Sequence, residues 1–474
     1  MTEVRQIAHN TLIQTMGKAI TITLGLVAFG LITRALGQEG FGYFTTVYAF
    51  LSIFGILIDL GLQMTTTKLI SDPRENENQI LSNALTIRLI ASIVFLGLAP
   101  LVVLFFPYPQ IIKFGVAVAA IGFIFNSLTA TLTSLFQKHL AMYLTVFADV
   151  VAKIIYIILL LIALHRGWGL IGIIGATVFD GLATLTVLYL MSKRYARLSW
   201  QFDFAIWRKI LVATWPIALT IALNLIYFKG DLVIMSLLRP QTEVGLYGAP
   251  YRVLEVLINA VYLFLGLILP LLATAVAIKN LDRLKNILQS VFDFLIIVGL
   301  PLVVGGYFVG QGVMVFIAGP DFALSGEIMK ILLIATAAIF IAALFGYAVV
   351  ALNQQKRMIK FYALNAVVSI TAYLIFIPRY TYWAAAWITV LSEIFILLTA
   401  YWVLYKTIGF RPQLKIIIKS LLASAVMALP LYFWQQLNFV WLIPIGLVVY
   451  FIALYALKGF SKKMLREILT LKSS

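Results

Sequence analysis

The chain has 474 residues, of which 63% are hydrophobic and only 11% charged, and its mean hydropathy is +1.04. Soluble domains carry about 25% charged residues, so a water-soluble fold is excluded. The absence of cysteine excludes disulfides, thiolate metal sites and cysteine nucleophiles. A net charge of +17 could point to nucleic acid. Here the basic residues are scattered over many short loops between apolar runs, which is a membrane-topology pattern, and no nucleic-acid partner is expected.

Apolar runs long enough to cross a bilayer recur along nearly the whole chain; about 20 helical residues suffice. The run 155–164, IYIILLLIAL, is unbroken rather than alternating, which favours helices over a β-barrel. The N-terminus is polar to about Asn10, and the apolar segment that follows continues past Ile32, too long for a signal peptide. It is read as the first span. In chain order the predicted spans are 11–35, 43–68, 81–106, 112–136, 141–164, 168–192, 210–238, 246–275, 285–308, 326–350, 358–378, 381–404, 416–434 and 438–457. The fold class expected is therefore all-α integral membrane, with about fourteen transmembrane helices.

Orientation follows from the lysine and arginine bias of short loops. With the N-terminus inside, 24 of the 35 basic residues fall in inside segments, from Arg5 to Lys472. Only five, Arg34, Lys113, Arg166, Arg239 and Arg379, fall outside. Both termini are thus expected in the cytoplasm. The longest polar stretches, 69–80 and 193–209, are too short for a soluble catalytic domain.

The sequence repeats itself weakly. Gly40-Phe41-Gly42-Tyr43 follows the first span, and Val244-Gly245-Leu246-Tyr247 follows the seventh. Leu135-Phe136-Gln137-Lys138 matches Leu352-Asn353-Gln354-Gln355, and 169–180 lies over 382–393, setting Asp180 opposite Glu393. The organisation read from this is an N-terminal six-helix bundle (1–200), a second bundle (201–410), and two further helices with a basic tail (411–474). Parallel repeats imply a pseudo-two-fold axis along the membrane normal and a substrate site between the halves.

Ionisable residues inside spans are costly and become functional candidates by default. Asp149 and Lys153, Arg252 and Glu255, and Glu327 and Lys330 are spaced to pair along one helical face. Lys18 and Arg88 lie near cytoplasmic ends and could snorkel to the interface. Lys229 is deeper. Lys18, Arg88, Lys153, Lys229 and Arg252 form the candidate set for an anionic substrate, arginine offering a bidentate fork to phosphate. Asp59, Asp180, Asp231 and Glu393 are candidates for H⁺ or Na⁺ coupling or gating, and Asp293 is a further embedded acid; each could equally pair with a cation on another helix. No metal cluster and no cofactor are expected. Tyr43, Tyr108, Trp168, Tyr247, Tyr251, Tyr382, Trp383, Trp434 and Trp441 read as an interfacial aromatic belt, and Trp207-Arg208-Lys209 as an interfacial entry to span seven. Pro216, Pro270 and Pro301 mark kinks. No GxxxxGK[ST] phosphate loop occurs, so the chain is not expected to be an ATPase or another enzyme.

Several of these segments resemble the polysaccharide-exporter branch of the MOP flippase superfamily, whose members include Wzx-type O-antigen and exopolysaccharide flippases. They are Asn10-Thr11 with Leu36-Gly37-Gln38-Glu39-Gly40-Phe41-Gly42-Tyr43, Asp59-Leu60-Gly61-Leu62 with Thr65-Thr66-Thr67-Lys68, Lys229-Gly230-Asp231, Tyr251-Arg252, and Gly319-Pro320-Asp321-Phe322. The resemblance implies two six-helix bundles around a central V-shaped cavity plus two extra helices. It implies movement of an undecaprenyl-diphosphate-linked glycan to the outer leaflet of a bacterial plasma membrane, with a polymerase and a chain-length regulator as possible pathway partners. It places Lys18 and Arg252 on the spans where related lipid II flippases hold diphosphate-binding arginines, Lys18 departing in residue type. The alternatives are a lipid II flippase and a MATE-type multidrug exporter; a membrane-embedded glycosyltransferase or polymerase would need a longer outer loop.

Overall fold

A computed structural model describes the backbone of residues 3–459, and the side chains there except for residues 3–13, 15, 216–217, 219–221 and 224–227. The basic tail beyond 459 and the side chains of Arg5 and Pro216 lie outside the described residues. In hydrocarbon the chain must satisfy its backbone groups internally, and helices do so. The helices are α1 Glu3–Asp59, α2 Leu62–Ile70, α3 Glu77–Val102, α4 Gln110–Lys138, α5 Met142–His165, α6 Gly169–Ser192, α7 Phe204–Leu238, α8 Gln241–Ala277, α9 Leu281–Ala318, α10 Ala323–Ala351, α11 Gln355–Ile408, α12 Lys415–Phe433 and α13 Phe439–Ala456.

Eleven of the helical segments are long and apolar enough to cross a membrane. Two of those eleven are pairs of helices joined at a kink. α1 breaks at Gly37 (φ 63°, ψ −171°), a conformation open to glycine because it has no Cβ. α11 breaks at Thr381 (φ 57°, ψ −144°), where a β-branched residue is strained. α7, 35 residues long, is a further long helix. Counting each arm, the described residues contain fourteen helical segments of spanning length. The predicted second span ends early: Leu60 (φ 38°) and Gly61 (φ 83°) turn the chain, and α2 continues as a separate helix. Pro270 lies inside α8 and Pro301 inside α9.

The chain forms two compact units, Met1–Gly245 and Leu246–Ser474. α7 packs on α1, α2 and α3 and so belongs to the first unit. In that unit α4 and α5 both pack on α6, and α1 lies against α3, α4, α5 and α7. Lipid does not drive helices together as water would, so close contact relies on small residues. A Cβ on Gly181 of α6 would stand 3.2 Å from the Gly122 carbonyl oxygen of α4. In the second unit α10 packs between α9 and α11, and α12 lies against α9 and α13. There a Cβ on Gly326 of α10 would sit 2.3 Å from the Gln311 Cα of α9.

The first unit holds a reciprocal contact at the repeated motif. A Cβ on Gly42 would fall 1.8 Å from the Gln241 carbonyl oxygen, and one on Gly245 would fall 2.0 Å from that of Gln38. Each glycine rests on the glutamine preceding the other, the pattern a two-fold relation produces. Thr46 Oγ1 donates to Gln241 Oε1 at 2.6 Å beside this crossing.

Candidate functional site

Among the described residues, six of the first unit's embedded charges join different helices in ion pairs: Lys18–Asp149, Lys153–Asp180 and Arg88–Asp59. Asp149 and Lys153 lie one turn apart on α5, and the sequence pairs them with each other. They do not pair. α5 is flanked by α1 and α6, each of which presents a charge of opposite sign. Lys18 Nζ of α1 sits 2.9 Å from Asp149 Oδ2, and Lys153 Nζ sits 2.5 Å from Asp180 Oδ2 of α6. Lys153 also lies over the Tyr156 ring, 4.9 Å from its centroid. Positive and negative groups therefore alternate across α1, α5 and α6. All four side chains remain a quarter to two-fifths exposed, so they are not sealed in dry protein.

The third pair is deeper. Arg88 of α3 is 1% exposed, and its guanidinium donates to Asp59 Oδ1 at 2.5 Å and to the Ser127 carbonyl of α4 at 2.9 Å. Asp59, at the end of α1, keeps 42% of its side chain exposed. The sequence allows Lys18 and Arg88 to snorkel. The structure instead gives each a carboxylate on a neighbouring helix, because an ion pair within reach offsets burial that a lone cation could not bear. Asp59 and Asp180 thereby take the inter-helix pairing that the sequence left open.

Lys229 of α7 lies over the Phe228 ring at 5.3 Å. Asp231 is fully buried, and its Oδ1 accepts the Leu232 N–H at 2.7 Å. In the second unit Arg252 pairs with Glu255 at 3.1 Å, and Lys330 pairs with Glu327 at 2.7 Å, both as the spacing predicts. Lys330 also lies 4.6 Å from the Tyr307 ring centroid. Glu393, on the second arm of α11, is buried. One turn before it, Thr389 Oγ1 stands 3.2 Å from Tyr373 Oη and 3.4 Å from Tyr247 Oη. Asp293 accepts from Gln289 Nε2 at 2.6 Å.

Three residues assigned to the aromatic belt are core residues instead: Tyr108, Tyr247 and Tyr251 are buried, whereas Trp168, Trp434 and Trp441 are exposed. Tyr108 lies in the turn between α3 and α4, outside the spanning segments. Burial pushes its phenol up to about 12, partly opposed by its hydrogen bond with Ser236 Oγ at 2.7 Å. Trp207, read as part of an interfacial entry, is half-buried, and its indole N–H donates to Asn83 Oδ1 at 2.9 Å.

That Asn83 contact belongs to a network the sequence reading missed. Between α6 and α7, residues 196–203 run extended along α3. Alternate backbone N–H groups donate to α3 side chains: Arg197 to Asn78 (2.9 Å), Ser199 to Ser82 (3.2 Å), Gln201 to Thr86 (3.2 Å) and Asp203 to Asn83 (2.9 Å). Ser82, Asn83 and Thr86 are buried. The period of two in the strap meets residues that the helix stacks on adjoining faces. The signal lay in two polar stretches, 69–80 and 193–209, that the pattern treated only as loops. Nearby, the Arg74 guanidinium donates to Asp72 Oδ2 at 2.6 Å and holds that carboxyl well below the usual carboxylate range.

Comparison with known proteins reports the same architecture. The family described as "Polysaccharide biosynthesis protein" matches residues 7–276, more than half of the chain. The chain belongs to that family. No curated protein matches this family member in sequence. Among solved structures, its fold is similar to "Lipid II flippase MurJ, inward closed conformation", with a TM-score of 0.73 and 16% identity over 93% of this chain and 97% of the other. It is also similar to an inward-facing "multidrug resistance MATE family transporter of the MOP superfamily", with a TM-score of 0.69 and 14% identity over 82% and 94%. A MATE transporter from Vibrio cholerae gives a TM-score of 0.57 at 13% identity, over 86% and 98%. This member of the polysaccharide biosynthesis family is thus a multi-pass membrane protein whose fold is similar to those of MurJ and of a MATE family transporter of the MOP superfamily.

Proposed function

We propose that this chain moves an undecaprenyl-diphosphate-linked oligosaccharide from the cytoplasmic to the outer leaflet of a bacterial plasma membrane by alternating access. The observation that carries the reading is the family match over residues 7–276. The embedded charges support it. A sugar–diphosphate head group crossing hydrocarbon unaided would lose hydration at several kcal/mol per polar group. Lysines that stay partly exposed while paired to aspartates offer such a head group an exchangeable partner: phosphate replaces carboxylate on Lys18 or Lys153, and Asp149 or Asp180 returns to water or takes a proton. Arg252, more than half exposed and paired with Glu255, is the corresponding group on α8. Lys229 is assigned to the same set. Arg88, buried and doubly bonded, is assigned to holding α1, α3 and α4 together rather than to the substrate.

In this reading both termini face the cytoplasm, and Glu393 and Asp231 are where H⁺ or Na⁺ would act, since both are buried carboxylates. Glycosyltransferases that build the lipid-linked unit would act before it, and a polymerase and chain-length regulator after it. The test is a deletion strain. Lipid-linked oligosaccharide is expected to accumulate on the cytoplasmic leaflet, and the wild-type gene to clear it.

A second reading, a lipid II flippase, is favoured by the likeness to MurJ over 93% of the chain. The same strain separates the two. Accumulated lipid II with normal glycan export would favour the second reading, and accumulated glycan lipid with normal cell-wall synthesis the first.

A further inference from the structure

Where the strap meets α3, the first unit carries an open cavity of about 430 Å³. It is lined by Asn76, Asn78, Gln79, Gln201, Phe202 and Asp203. We propose that this cavity is a saccharide-binding pocket, which receives the sugar portion of the substrate on the cytoplasmic face. The proposal rests on the flippase reading above for the side of the membrane and for the source of the sugar.

The lining is suited to neutral hydroxyl groups. Asn76 caps α3, its Oδ1 accepting the Gln79 N–H at 3.2 Å, and Asn78 Oδ1 accepts the strap's Arg197 N–H at 2.9 Å. Those bonds commit the two amide oxygens to the fold and fix which way each amide faces. The Nδ2 groups of Asn76 and Asn78 make no hydrogen bond among the described residues, so two donors are presented in set directions. Asp203 Oδ1 caps α7 through the Ala205 and Ile206 N–H groups, while Oδ2 takes only a long 3.4 Å contact from Gln79 Nε2. The second carboxylate oxygen is therefore an acceptor with capacity to spare, and Gln79 Oε1 is another. Donors and acceptors interleaved on one wall match vicinal hydroxyls, each of which both donates and accepts.

Phe202 supplies an apolar face. It is 63% exposed although it belongs to a strap otherwise bonded down, and its ring lies 6.1 Å from that of Trp207. A pyranose has apolar C–H faces that an aromatic ring can cover, with hydroxyls left at the edge for the amides. An anion fits poorly, because Asp203 stands in the wall, and both helix N-termini at the cavity, those of α3 and α7, are already capped by Asn76 and Asp203. None of the cavity's lining residues belongs to the charged pairs of α1, α5 and α6, so a sugar bound here uses different side chains from those proposed for the diphosphate.

The test uses the full chain in lipid nanodiscs, with saturation-transfer NMR against underivatised neutral mono- and disaccharides. At least one sugar is expected to receive saturation from wild-type protein. Phe202→Ala and Gln79→Met are each expected to weaken that sugar's Kd about tenfold, and Phe202→Trp to retain it. No saturation of any sugar, or equal saturation in Phe202→Ala and Gln79→Met, overturns the proposal. So does a Phe202→Ala chain that inserts poorly while Gln79→Met binds as wild type, which would make Phe202 a headgroup anchor. The two readings fail separately. A chain that clears lipid-linked glycan in the deletion strain yet binds no sugar removes the pocket and leaves the flippase. A chain that binds sugar here while glycan lipid distributes normally without it removes the flippase.

Discussion

The Arg88–Asp59 pair makes an asymmetric prediction. Arg88 is 1% exposed and has two acceptors, Asp59 Oδ1 at 2.5 Å and the Ser127 carbonyl at 2.9 Å; its Nε has no partner among the described residues. Asp59 keeps 42% of its side chain in contact with solvent. Asp59→Ala leaves a guanidinium with no water and one acceptor, and stranding a buried charge costs about 3–5 kcal/mol. Arg88→Met removes the charge, keeps most of the volume, and leaves a carboxylate that water can reach. Its cost is the lost charge-assisted bonds, about 1–3 kcal/mol. Removing both partners leaves no stranded group, so the double variant is expected to be more stable than Asp59→Ala alone, with a coupling of about 2 kcal/mol. The assay is thermal melting of detergent-solubilised protein for the four chains of the cycle. Should Arg88→Met melt below Asp59→Ala, or the double variant show simple addition, the assignment of Arg88 as a buried structural cation would be wrong.

The alternating ladder on α5 gives a second prediction. Lys153→Met is expected to abolish export while the protein still reaches the membrane, and adding Asp180→Asn is expected not to restore export, as read by lipid-linked glycan on each leaflet; full export by Lys153→Met would remove it from the substrate set. The same assay applied to Lys229→Ala and Arg252→Ala is expected to show reduced export, and the pair's failure to do so would remove both. At the reciprocal crossing, a Cβ on Gly42 would lie 1.8 Å from the Gln241 carbonyl. Gly42→Ala should therefore cost about 1–3 kcal/mol through overpacking, seen as a lower melting temperature, whereas Gly25→Ala, with nothing within 4 Å, should not. Trp207→Phe removes the indole donor to Asn83. It is expected to cost about 1 kcal/mol and to speed proteolysis of the 196–203 strap, and unchanged digestion would show that the bond holds nothing in place.

Sequence and structure divide the information along physical lines. Apolar run length alone determined a helical membrane protein of about fourteen segments, because a bilayer fixes how many helical residues a span needs. That Gly42 and Gly245 must be small was not legible from the repeat, which sets Gly42 over Leu246; the close approach of the two backbones shows it. The pairs Arg252–Glu255 and Glu327–Lys330 were legible because both partners lie on one helix, where spacing is distance. The partners of Asp149 and Lys153 were not. Helical spacing put the two within reach of each other, but it says nothing of which charges α1 and α6 would bring closer. The strap on α3 was hidden likewise: its bonds join residues more than a hundred positions apart, and no period links an extended segment to a helix. What the sequence by itself determined is that the chain is built of many membrane-length helices, since lipid acts on each span separately. What only tertiary structure decided is the partner of each buried charge, since in a low dielectric the nearest opposite charge wins, and nearness across helices is set by packing.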